Sequence, residues 1–135
     1  QQEAGTVQGF PGLTRRAIAA RFPTYTIGAG IDDRGWWRGG YEELAECDAR
    51  AGRVAQTLRT WAGEQPDATI ALVTHGTFLN SLIHALLLLP PSAQDRVYFS
   101  HLNTALTRLD FLQDGGLAMR YHNRITHLSV EYLTR

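Results

Sequence analysis

A chain of 135 residues, 44% apolar and 19% charged, is one domain in length and carries enough apolar material for a core, which excludes intrinsic disorder and two separately packed domains. Thirteen basic residues balance thirteen acidic ones, so neither a nucleic-acid partner nor a membrane surface is expected. All the basic residues are Arg, a usage that reads first as codon bias; it excludes Lys-dependent chemistry such as Schiff-base catalysis or a P-loop.

Cys47 is the single cysteine, so no internal disulfide and no cysteine-type zinc site is expected, and a cytoplasmic setting is the default. The longest apolar run, 82–89, is interrupted by His84 and stopped by Pro90 and Pro91, too early to span a bilayer. Gln1-Gln2-Glu3 has no basic segment leading into an apolar one, and no starting Met, so the chain reads as a processed product or a piece of something longer.

In chain order, residues 1–12 are rich in Gly with Pro11, after which Thr14 caps a short helix over Ala17, Ile18 and Phe22 that ends before Pro23. Residues 24–40 read as an irregular loop of the length that is usually functional or a lid, with Trp36-Trp37 in it. The strongest helix is predicted over 41–62, where Leu44, Cys47, Ala51, Val54, Leu58 and Trp61 recur at spacings of three and four. Its opposite face, with Glu43, Glu46, Arg50, Arg53 and Arg59, reads as solvated. Residues 68–74 form a near-continuous apolar run of the kind found in strands buried on both faces. A helix is predicted over 78–89, a short one over 92–97, and a β-hairpin from 105–111 and 117–124 around Asp114-Gly115-Gly116. The order makes the chain α/β.

The sharpest local feature is apolar strand, then Thr74-His75-Gly76-Thr77, then helix. A helix beginning beyond the carboxyl end of a strand aims free N–H groups and a positive dipole end at the crevice, where a His is placed to meet an anion. Imidazole beside a phosphate can bind as the cation, donate a hydrogen bond, or act as acid and base. Gly76 lets the backbone approach such a ligand. The alternative is a His that merely caps the helix.

Taken together, Gly12-Leu-Thr-Arg-Arg-Ala-Ile, Phe22-Pro23, Trp36-Trp37 with Glu42-Glu43, Ala71-Leu-Val-Thr-His-Gly-Thr77, Asn103-Thr-Ala-Leu-Thr107 and the segment 123–128 resemble the histidine phosphatase superfamily, also called phosphoglycerate mutase-like. The resemblance implies a three-layer α/β/α fold and a pocket of two His and two Arg in which one His becomes a phosphohistidine. The second His and the Arg pair stabilise the equatorial oxygens. By position His75 corresponds to that second His, with Gly76, Thr77 and Asn103 on the substrate side and Glu3 as the acid that protonates the leaving oxygen; an exposed carboxylate at a frayed end is the alternative for Glu3, and a turn-ordering side chain the alternative for Asn103.

The nucleophilic His of the family lies in an Arg-His-Gly motif, and this sequence contains none. The expectation is therefore a carboxy-terminal part (1–135) of one such domain, lacking the first strand and inactive alone. Its parent would be a phosphomonoester phosphatase acting on a small phosphorylated substrate without metal or cofactor. A non-catalytic module that binds a phosphorylated ligand or a protein partner is the second expectation. An absent first strand predicts exposed strand edges, and hence a homodimer or a strand-swapped assembly. His101 reads as a surface loop residue, His84 as a satisfied, partly buried one, one indole of Trp36-Trp37 as packing, and Cys47 as inert core.

Overall fold

The computed structural model describes residues 11–37, 41–93 and 96–132, the side chains of Pro91 and Val130 excepted. Glu3, and with it the predicted acid, lies outside the described residues. The chain divides into two compact units, Gln1–Glu43 and Leu44–Arg135.

In the first unit Thr14 begins α1 (Arg15–Arg21) as its sequence predicts. Its extended backbone turns Oγ1 to accept from the Ala17 N–H at 3.1 Å, which satisfies one of the orphan donors of the first turn. Phe22 closes the helix, with its N–H on the Ile18 carbonyl, before Pro23. The loop beyond is irregular, and one side chain pins it: Arg15 donates through Nε to the Ile31 carbonyl at 2.8 Å, and through a terminal nitrogen to Gly28 at 2.7 Å and Ile27 at 3.1 Å. Gly12, at φ +74°, passes beneath the Trp36 indole, and Trp37 stands edge-on to Trp36 with ring centroids 6.1 Å apart. One indole thus packs against backbone, as predicted.

The second unit is organised around α2 (Leu44–Glu64) and α3 (Gly76–Leu86). Cys47, Ala51 and Ala55 of α2 are buried against Phe78, Leu82 and Leu86 of α3, and Ala51 is 0% exposed. Two alanines one turn apart let the helices approach closely, and the larger side chains of α3 fill the seam. Cys47 is core, with its thiol 3.9 Å from the Ser81 hydroxyl.

Two residues assigned to the solvated face of α2 are packed instead. Arg50 lies over the Phe78 ring at 4.1 Å, and Arg59 lies over Phe111 at 5.9 Å and donates to the Leu86 carbonyl. The apolar stem of an Arg covers hydrophobic surface while its guanidinium meets a ring face or a carbonyl, which a polar-face assignment by charge alone misses.

The hairpin follows its prediction closely, as β1 (Leu106–Phe111) and β2 (Leu117–Arg124), with Leu109, Phe111 and Leu117 on the helical core. Its turn is held by Asp114, whose Oδ1 accepts from the Gly116 N–H at 2.9 Å. The register slips: from Leu106↔Arg124 to Arg108↔Tyr121, β1 advances two residues and β2 three. The surplus falls at Asn123, held at φ +52°, a conformation that Asn tolerates better than most residues.

The segment 68–74 departs from its prediction. Among the described residues it joins no sheet, Ile70 and Leu72 are about half exposed, and Val73 is 95% exposed. Apolar composition records that these side chains require cover on both faces; a strand also needs a hydrogen-bonded neighbour, and among the described residues none lies at its edges. Of the predicted helix over 92–97, residues 94 and 95 lie outside the described residues, and the described part begins with a 3-10 turn, Pro91–Ala93. No helix of the described residues is long and apolar enough to cross a membrane.

Candidate functional site

His75 stands at the end of 68–74 and at the start of α3. Its backbone is extended (φ −114°, ψ 155°), and its carbonyl accepts from the Leu79 N–H at 2.9 Å, the geometry of a helix N-cap. Its side chain makes no capping hydrogen bond and is exposed. The backbone of His75 therefore starts the helix, and its imidazole takes no part in the cap. Gly76 and Thr77 follow, both exposed, and among the described residues no atom lies within 4 Å of the place a Gly76 Cβ would occupy. With no capping bond from the His75 side chain, the first turn of an 11-residue helix keeps its dipole end on the side where His75 stands.

A second segment runs along α3. The His84 Nε2–H donates to the Val97 carbonyl at 2.8 Å, and one helical turn earlier Asn80 Oδ1 accepts from the Phe99 N–H at 2.9 Å. Two residues of the connection thus match one turn of α3, and the connection runs antiparallel to the helix, carrying residues 101–103 towards the end that His75 starts. The turn there contains Thr104 at φ +60° and is fastened by the Leu102 N–H to Asn123 Oδ1 at 2.8 Å. Asn103 occupies it with an exposed side chain. His75, Gly76 and Thr77 thus open α3, and Asn103 lies in the turn that follows the connection held on that helix.

His101 differs from its prediction. It is partly buried and packs edge-on against His122 with centroids 4.8 Å apart; His122 in turn meets Phe99 at 5.7 Å, and Phe99 meets His84 at 5.3 Å. Residues 21 apart on an irregular segment and a bulged strand share no periodicity that would announce the contact. Burial holds the His101 imidazole below its ordinary titration range and His122 adds to this, while the Phe99 backbone favours the charged ring from outside hydrogen-bond geometry.

His84 is 2% exposed and only half satisfied, because its Nδ1 has no hydrogen-bond partner among the described residues. His122 shares a hydrogen bond with Thr107 and His127 one with Thr104, both at 3.3 Å. Among the described residues no group of three or more His, Cys, Asp or Glu is arranged to hold a metal ion. A shallow hollow lined by Ser92, Ala93, Arg96 and Val97 lies at the other end of α3 from His75 and has no part in this chemistry.

No curated protein and no solved structure matches the chain. A family model does: that of the histidine phosphatase superfamily (branch 1), over residues 5–124. The matched span runs from the Gly-rich start through His75-Gly76 to the end of β2, and the chain belongs to the histidine phosphatase superfamily.

Proposed function

We propose that the first turn of α3 receives a phosphoryl group, with His75 as its imidazole contact, the backbone of Gly76 and Thr77 as donors to its oxygens, and Asn103 on the substrate side. The observation that carries this reading is an exposed His at the N-cap whose side chain does not cap. Free N–H groups, a positive dipole end and an imidazole that can donate as the cation all favour the charge that develops on equatorial phosphoryl oxygens. Gly76 leaves room for the ligand to come close to the backbone.

The proposed parent reaction is hydrolysis of a small phosphomonoester. A nucleophilic imidazole forms a bond to phosphorus while the bond from phosphorus to the ester oxygen breaks, and that oxygen takes a proton from a carboxylic acid, the role proposed for Glu3. Water then attacks the phosphohistidine, giving inorganic phosphate and free imidazole. The 135 residues contain no Arg-His-Gly, so this chain by itself is proposed to be inactive. The three-layer sheet belongs to the same proposal, with 68–74 as an inner strand once both its edges are paired. The missing motif also favours a second reading, a non-catalytic module that binds a phosphorylated ligand or a protein partner.

Phosphate titrations followed by 31P NMR, on the chain and on His75→Ala, test the binding step. The variant is expected to weaken binding at least tenfold, and equal affinity would remove His75 from the site. Turnover of a generic phosphomonoester separates the readings: activity only when an Arg-His-Gly segment is supplied supports the enzyme, none in either case supports the module, and activity of the chain alone overturns both.

A further inference from the structure

We propose that His101 and His122 form a proton-operated latch, which when neutral fastens the 97–104 connection between α3 and the hairpin and when protonated releases it. Hydrogen bonds hold this connection to both neighbours, among them the Val97 carbonyl to His84 and the Phe99 N–H to Asn80 on α3, and the Leu102 N–H to Asn123 on β2. Between them the rings of His84, Phe99, His122 and His101 form an unbroken edge-to-face column from helix to strand.

The weak point of this column is its last ring. Among the described residues both nitrogens of His101 are buried without a hydrogen-bond partner, and the pull of the Phe99 backbone on the charged ring is outweighed by the cost of burying it. The ring it packs against, His122, is a second imidazole whose Nδ1 is engaged by Thr107 of β1. A charge added at His101 would sit with its nitrogens out of water and its ring 4.8 Å, centroid to centroid, from a second imidazole. From α3 the column is faced by Asn80 and by His84, whose Nε2–H is committed to Val97; from the segment after β2, His127 pairs with Thr104. The hairpin's charges are engaged elsewhere: Arg108 and Arg120 both bind Asp110, and Arg124 lies over the Tyr121 ring.

The sign follows from which state binds the proton more readily. Burial and His122 lower the affinity of His101 for a proton in the folded chain, whereas the unfolded chain takes one up near pH 6.5. The unfolded or opened state then carries more protons below that pH, so the stabilisation is complete above about pH 6.5 and is lost as the pH falls. Each unit between the two pKa values is worth about tenfold in the opening equilibrium. The connection carries the Asn103 turn, so release would loosen that turn in acid.

Imidazole NMR titration of the whole chain, with amide hydrogen exchange at Phe99 and Leu102 corrected for intrinsic rates, tests the latch. His101 is expected to titrate below pH 6.5, and protection at both amides to fall several-fold between pH 7.5 and 5. In His101→Phe, which keeps an edge-on ring, the fall is expected to vanish. Equal loss in that variant, or unchanged protection in the wild type, overturns the proposal. If His101→Phe does not fold, the wild-type titration decides: a His101 midpoint at or above 6.5 overturns it.

Discussion

Arg59 of α2 donates a hydrogen bond to the carbonyl of Leu86, the last residue of α3, while its guanidinium lies over the Phe111 ring of β1. One side chain therefore closes a helix end, complements the negative pole of that helix and joins both to the hairpin. Arg59→Ala is expected to lower stability by about 1–3 kcal/mol, the range for a charged donor removed from a partly buried carbonyl. Arg59→Lys should recover only part of it, because an ammonium cannot lie flat on a ring. Denaturant midpoints measure both, and an unchanged midpoint for the alanine variant would refute the assignment.

Ile70, Leu72 and Val73 predict self-association of the isolated chain. An apolar segment without pairing among the described residues offers both edges and both faces, the condition under which strands pair between molecules. Sedimentation at micromolar concentration should show dimers or larger species. Val73→Lys should shift them towards monomer without loss of fold, since Val73 is 95% exposed and supports nothing in the single chain. A wild-type monomer at every concentration would remove this expectation.

Gly12 is the residue on which the Trp36 contact depends. A Cβ at Gly12 would lie 1.9 Å from the indole Nε1, and the positive φ penalises any side chain there. Gly12→Ala should displace the indole at a cost of about 1–3 kcal/mol in the first unit. A red shift of tryptophan emission and faster proteolysis within 11–37 are the readouts; an unchanged spectrum would count against the packing.

What could be read from the sequence follows the range of the interaction. Thr14 announces α1 because its hydroxyl and its partner N–H are three residues apart, and Asp114 announces the hairpin for the same local reason. His75 was legible as the end of an apolar run and the start of a helix, and the structure adds that its side chain leaves the cap unmade. The His101 contact was not legible, since its other half arrives from a strand whose register is broken by a bulge. Residues 68–74 misled for a different reason: a buried strand and an unpaired one have the same composition, and pairing depends on chain that the pattern does not contain. Arg50 and Arg59 misled because an Arg is written as a charge but packs as a hydrocarbon stem carrying a flat ion.

The open space at Gly76 separates two reasons for having a glycine. At Gly12 and Gly35 the fold itself forbids a side chain, by clash and by backbone angle. At Gly76 neither constraint operates: the backbone is not left-handed, and a methyl group would touch nothing among the described residues. Alanine would even favour the helix, though by less than the about 1 kcal/mol it gains over glycine in a helix interior, because Gly76 is the first helical residue. Gly76→Ala is thus a variant that the folded chain should welcome and a phosphoryl ligand should resist, so one added carbon distinguishes a glycine kept for architecture from one kept for a guest.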